Sequence, residues 1–189
     1  MGMDVYGKNP KILEEKPNID WDIATDDEKS IYFNQVSEWE ANNPGVYFRA
    51  NCWSWRPIHA ICDFAITKAE LSINTDRWGE NSGYGLETQE ECTMLANAIS
   101  LYLLINNAAM YEDDDRIYLC LGSWCTNSGG FVNEDKSDAL NELYPRGTVM
   151  YNGVVTKDGE LVFPSHSSSL SHIKNFIKFL HRCGGFEIW

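Results

Sequence analysis

The sequence is poor in positive charge: fifteen Lys and Arg face 28 Asp and Glu, a formal net charge of -13 over 189 residues. Affinity for duplex nucleic acid rests largely on cations that neutralise phosphates, so no duplex partner is expected. The same field repels anionic membranes, and no apolar run is long enough to span a bilayer. No glycine-rich phosphate loop of Walker or Rossmann spacing occurs, since Gly79 to Gly85 matches neither and reads as a turn. Metal-ligand spacing is also missing. Cys120 and Cys125 form a single pair, and His166, His172 and His181 lack the i, i+4 spacing that aims two ligands at one ion. Cys52 or Cys62 with His59 and Asp63 has the residue types of a nucleophile, a base and an orienting acid, but at the spacing of packed neighbours. No catalytic residue, metal or cofactor is therefore expected. Met1 to Tyr6 has neither the basic nor the apolar region of a signal peptide, and Tyr6 stands where myristoylation needs Ser or Thr. A cytoplasmic location follows as the expectation, with the six cysteines as reduced thiols, mostly in the core.

What is present is a folded, aromatic-rich composition, 43% hydrophobic and 13% aromatic, at a length that suits one domain. Strand signals are short and do not alternate regularly with helices, which predicts an α+β domain of several helices packed on a small, mainly antiparallel sheet. An acidic insertion occupies about residues 11–45, and Glu112 to Asp115 reads as a second, solvated acidic run.

Met3 to Tyr6 reads as a strand. Capping boxes at Thr25/Glu28 and Thr88/Glu91 start two helices, the second nearly apolar around Leu95, Ile99 and Tyr102 and therefore central. Pro57 suits a first helical position, so a helix is predicted from Pro57 to about Leu71. Ile117 to Leu121 reads as a strand followed by a loop from Gly122 to Asn133, with a short helix near Asp135 to Leu143. Val149 to Val155 and Glu160 to Phe163 form a hairpin through Asp158-Gly159, ended by Pro164. A last helix spans Ser169 to Cys183. The apolar tail Phe186-Glu187-Ile188-Trp189 is expected to dock as a strand, with Phe186 and Ile188 facing inward.

The segment Tyr47-Phe48-Arg49-Ala50-Asn51-Cys52-Trp53-Ser54-Trp55-Arg56-Pro57 sets indole rings beside guanidinium groups, a combination that suits a flat or anionic ligand. Read as extended, it puts Trp53 and Trp55 on one face and Cys52, Ser54 and Arg56 on the other. The candidate ligand-binding residues are Trp53, Trp55 and Trp78 for stacking, Arg49, Arg56 and Arg77 for phosphate, and Asn51 and Asn81 for polar edges. Large rings also fill cores, so the pair Trp53 and Trp55 can equally be structural.

Three blocks, Met1-Gly2-Met3-Asp4-Val5-Tyr6-Gly7, Tyr47-Phe48-Arg49-x-Asn51-x-Trp53-x-Trp55-Arg56-Pro57 and Cys183-Gly184-Gly185-Phe186-Glu187-Ile188, occur in order. Together with Asn81-Ser82-Gly83, they resemble a family of uncharacterised small proteins of bacteriophages and bacterial genomes. With the arginine and tryptophan constellation, the resemblance implies a phage-type, non-catalytic accessory protein of the host cytoplasm. Such a protein would bind and sequester a small nucleotide-derived ligand, a counter-defence role. Two alternatives stand beside it: an acidic inhibitor that occupies a basic groove on a host protein, and a hydrolase or transferase with an unrecognised site. The expected partner is thus a small molecule or a host protein, and self-association stays open.

Overall fold

The computed structural model describes residues 2–107 and 115–189. The acidic residues Glu112 to Asp114 lie outside the described residues. The element order is β1 (Gly2–Gly7), α1 (Asp26–Asn42), β2 (Tyr47–Asn51), α2 (Cys52–Lys68), β3 (Tyr84–Leu86) and α3 (Gln89–Ile105). It continues with β4 (Arg116–Thr126), α4 (Glu134–Leu143), β5 (Val149–Met150), β6 (Val154–Val155), β7 (Leu161–Ser169), α5 (Leu170–Leu180) and β8 (Phe186–Ile188). The fold is α+β, as expected, although the strands form two sheets rather than one: β2-β1-β8-β3 and β5-β4-β7-β6, both antiparallel.

Both capping boxes form. Thr25 and Glu28 exchange bonds at the start of α1, and Thr88 and Glu91 do so at α3, where each pair satisfies two otherwise orphaned amides. α3 lies in the main core, with Leu95 and Ile99 fully enclosed among residues of α2, α5 and the first sheet. Ile99→Ala should cost about 2–5 kcal/mol by opening a cavity there, a loss readable from urea unfolding. A near-neutral result would contradict this packing. A smaller cluster of Cys120, Trp124, Leu140 and Val162 lies beneath α4.

Of the predicted hairpin, the part next to the turn forms as β6 and β7, in register at Val154↔Val162, while Val149 and Met150 form β5 and pair with β4 instead. Two strand ends also differ from the sequence reading. β4 runs through Gly122 to Thr126, because Gly122 takes φ +104 in a bulge between Leu119 and Trp124 that the strand pairing absorbs. Pro164 falls opposite Trp124 beside that bulge, so β7 passes through it and continues to Ser169.

The largest correction concerns α2. It begins at Cys52, because the Asn51 side chain caps it, accepting from the amides of Trp53 at 3.0 Å and Ser54 at 2.8 Å. Pro57 sits inside the helix, where its ring leaves the Trp53 carbonyl without an i+4 donor. Trp53, Trp55 and Arg56 are therefore helical and not extended.

The acidic helix α1 buries only Trp39, whose indole donates to the Glu14 carbonyl at 2.9 Å. Asn43 ties its end down by accepting from the Leu13 amide and donating to the Trp39 carbonyl. Among the described residues no helix is long and apolar enough to cross a membrane.

Candidate anion-binding cleft

β7 carries Ser165-His166-Ser167-Ser168-Ser169 and leads without a loop into α5, for which Ser169 is the N-cap. The hydroxyls suit a strand that must also cap a helix, since Ser side chains serve backbone amides at N-termini. Against this strand lies the start of α2. The two helix N-termini and the serine run enclose a cleft of about 410 Å³, lined by Asn51, Trp53, Ser54, Arg116, the residues from Ser165 to Ser169, and His172. Each helix N-terminus carries roughly half a positive charge, so both favour an anion there.

The side chains add to this bias. Arg116, the first residue of β4, pairs in register with Ser169 and donates to the Ser167 hydroxyl at 2.8 Å. Among the described residues no Asp or Glu lines the cleft, although the chain carries a net charge of -13. Asp115 turns its backbone carbonyl to the Leu170 amide at 2.9 Å. Ser168 is 4% exposed, and its hydroxyl has no hydrogen-bond partner among the described residues; the same holds for Nε2 of His172. Buried polar atoms are rarely left unpaired, because desolvation without a partner costs about 1–3 kcal/mol. Both atoms belong to residues that line the cleft.

Burial holds the imidazole of His172 below its ordinary pKa. Burial does the same to His166, and the positive charges of Arg56 and Arg146 add to it. Both rings are thus neutral near pH 7, and an anion between them would favour their protonation. The Ser165 hydroxyl bonds Nδ1 of His166 at 3.0 Å and also the hydroxyl of Ser123. This pair has the residue types of a nucleophile and base, but a general base must become an imidazolium. Burial and two arginines oppose that, and among the described residues no carboxylate lines the cleft to offset them.

The residues singled out from sequence separate into three groups. Asn51 and Trp53 line the cleft, and Arg56 stands with its guanidinium 5.0 Å from the Trp53 ring centroid. Trp55 and Trp78 are core: they are 2% and 1% exposed, the Trp55 indole donates to the Trp78 carbonyl at 2.7 Å, and Trp78 packs edge-on against Phe186. Residues two apart on a helix point in nearly opposite directions, which is why Trp53, 73% exposed, and Trp55 part company.

The others lie outside the cleft. Arg49 is beside Asp4 at 3.7 Å, in a neighbouring cleft. Arg77 is held by Glu80 at 2.7 Å and lies over the Tyr84 ring, and Asn81 donates to the Gly2 carbonyl at 3.0 Å. Arg77, Trp78 and Asn81 thus organise the loop before β3. The candidate nucleophile Cys62 is fully buried, with its thiol pushed up by that burial, while His59 bonds the Thr75 carbonyl at 3.1 Å. Among the described residues no three His, Cys, Asp or Glu side chains converge as metal ligands.

Arg116, His166, His172 and the serine run were not legible as a site from the sequence. The usable signal was an uninterrupted polar run on a strand that feeds the amphipathic helix α5. Comparison with protein-family models, curated proteins and solved structures finds no match. What the cleft binds follows from its own groups.

Proposed function

We propose that the protein is a non-catalytic binder that holds a small nucleotide-derived ligand in the cleft between α2 and α5. The ligand phosphate sits at Arg116, Ser168 and His172, and its base stacks on Trp53. The observation that carries this reading is the pair of unpartnered buried atoms, Ser168 Oγ and His172 Nε2, on residues that line a cleft with Arg116 and with no Asp or Glu among its described lining residues. An exposed indole braced by Arg56 at the rim supplies the flat surface a base needs. The resemblance of the sequence blocks to phage and bacterial proteins supports an accessory role in the host cytoplasm, in which the ligand is withheld rather than converted.

Isothermal titration with AMP and adenosine tests this. AMP is expected to bind at least tenfold more tightly than adenosine, since a charge-assisted phosphate contact is worth about 1.5–3 kcal/mol. Arg116→Ala should erase most of that difference while leaving the melting temperature close to wild type. Equal affinity for AMP and adenosine, or an AMP preference that survives Arg116→Ala, would rule the phosphate site out.

A second reading draws support from α1. Trp21, Ile23, Ile31 and Phe33 are exposed on the acidic segment, with the Trp21 ring 5.3 Å from Tyr32 and 5.9 Å from Phe33. Aromatic residues amid acid are the composition of a surface that meets a basic groove, and binding there would weaken steeply with salt.

A further inference from the structure

His172 lines a second cleft as well. On its other side, a space of about 450 Å³ opens between β2 and α5, lined by Tyr47, Phe48, Arg49 and Lys178 among others. The imidazole packs on Phe48, ring centroids 4.8 Å apart, and His172 lines both clefts. Each side then offers the same pair of features, an aromatic surface and a fixed cation. On one side these are Trp53 and Arg116; on the other they are Tyr47 with Arg49 and Lys178.

The second cleft differs in one respect, because the Glu40 carboxylate also lines it and Arg49 lies 3.7 Å from Asp4. It is less positive than the first. That suits a nucleoside whose sugar hydroxyls or base amine can donate to a carboxylate, and it disfavours a second terminal phosphate. His172 is the residue the two linings have in common, and its Nε2 is unpartnered among the described residues.

Resting on the reading of the first cleft as a nucleotide site, we propose that the ligand is a dinucleotide straddling His172. One nucleotide lies on Trp53 with its phosphate at Arg116, the bridging phosphate meets His172, and the second nucleoside lies between β2 and α5. Each cleft lies within the size range of small-ligand sites, roughly 300–1,000 Å³. Linking the second nucleoside to the first makes its binding intramolecular, so affinity should rise without any further contact being required of the first cleft.

Titrations with AMP, ADP and the linear dinucleotide pApA decide the matter. ADP matches the charge of pApA but carries one base. The dinucleotide is expected to bind at least tenfold more tightly than AMP or ADP. The double variant Arg49→Ala/Lys178→Ala should reduce pApA to the affinity of AMP and leave AMP itself unchanged, which also shows that the variant is folded. If AMP binds but pApA gains nothing over ADP, or if the gain survives the double variant, the second subsite is wrong while the first stands. If AMP does not bind, the first cleft is misread and this proposal falls with it.

Discussion

A chain ending at Gly185 is expected to lose most or all of its cooperative unfolding transition. β8 is an inner strand, paired with β1 through Val5↔Ile188 and with β3 through Tyr84↔Ile188, so its removal splits the first sheet and frees β3. Phe186 and Ile188 are fully buried, and losing them forfeits about 1.5–3 kcal/mol each before any ladder bond is counted. The tail is also bound at its end, where Trp189 and Asp4 exchange backbone bonds at 2.7 Å. Against a total stability of about 5–15 kcal/mol, that loss leaves little or nothing. The route into β8 depends on glycine: Gly184 has φ +66, and a Cβ there would meet the Asn9 carbonyl oxygen at 2.1 Å. A truncated protein with the melting temperature of the full chain would mean that β8 contributes nothing to the sheet.

Trp55→Ala should destabilise the protein by about 3–5 kcal/mol, whereas Trp53→Ala should change stability by no more than about 0.5 kcal/mol. Trp55 sits against Phe176 and Trp78 with its indole nitrogen satisfied by the Trp78 carbonyl, so truncation leaves both a cavity and an unpaired carbonyl. Trp53 stands in solvent at the cleft rim. Its loss should appear in binding, as a drop of tenfold or more in AMP affinity. Urea unfolding and titration of the two variants separate these effects. A stability loss in Trp53→Ala, or unchanged AMP affinity, would remove Trp53 from the site.

The pattern of these tryptophans shows where the sequence was readable. Capping boxes, the apolar stripe of α3 and the period of two in the tail are local signals, and local physics decides them; those elements form as expected. The start of α2 depended on whether Asn51 or Pro57 opens the helix. Both are good start residues, and only the pairing of β2 with β1 through Gly2↔Asn51 places Asn51 at the end of a strand, where it caps. Five residues too late a start turned two helical indoles into a false extended pair.

The cleft was harder still. It assembles Asn51 and Trp53 with Arg116 and the strand from Ser165 to Ser169, which are brought together by the β4 and β7 pairing and by α2 packing on β7. No local pattern encodes that meeting. His166 and His172 drew notice only as metal ligands, because their common wall is a product of the fold.

The most direct test is the pH titration of the His166 and His172 imidazole signals by NMR, with and without AMP. Burial lowers both pKa values in the folded protein relative to the unfolded chain. The unfolded state therefore binds protons first, and this contribution to stability is present above the ordinary histidine value of about 6.5 and is lost as pH falls below it. An anion bound beside the two rings reverses that preference. The account predicts that both midpoints lie below the ordinary value in the free protein and move upward with AMP. Adenosine should leave them in place, and Arg116→Ala should blunt the shift. Midpoints that AMP does not move would contradict an anion-binding cleft between α2 and α5.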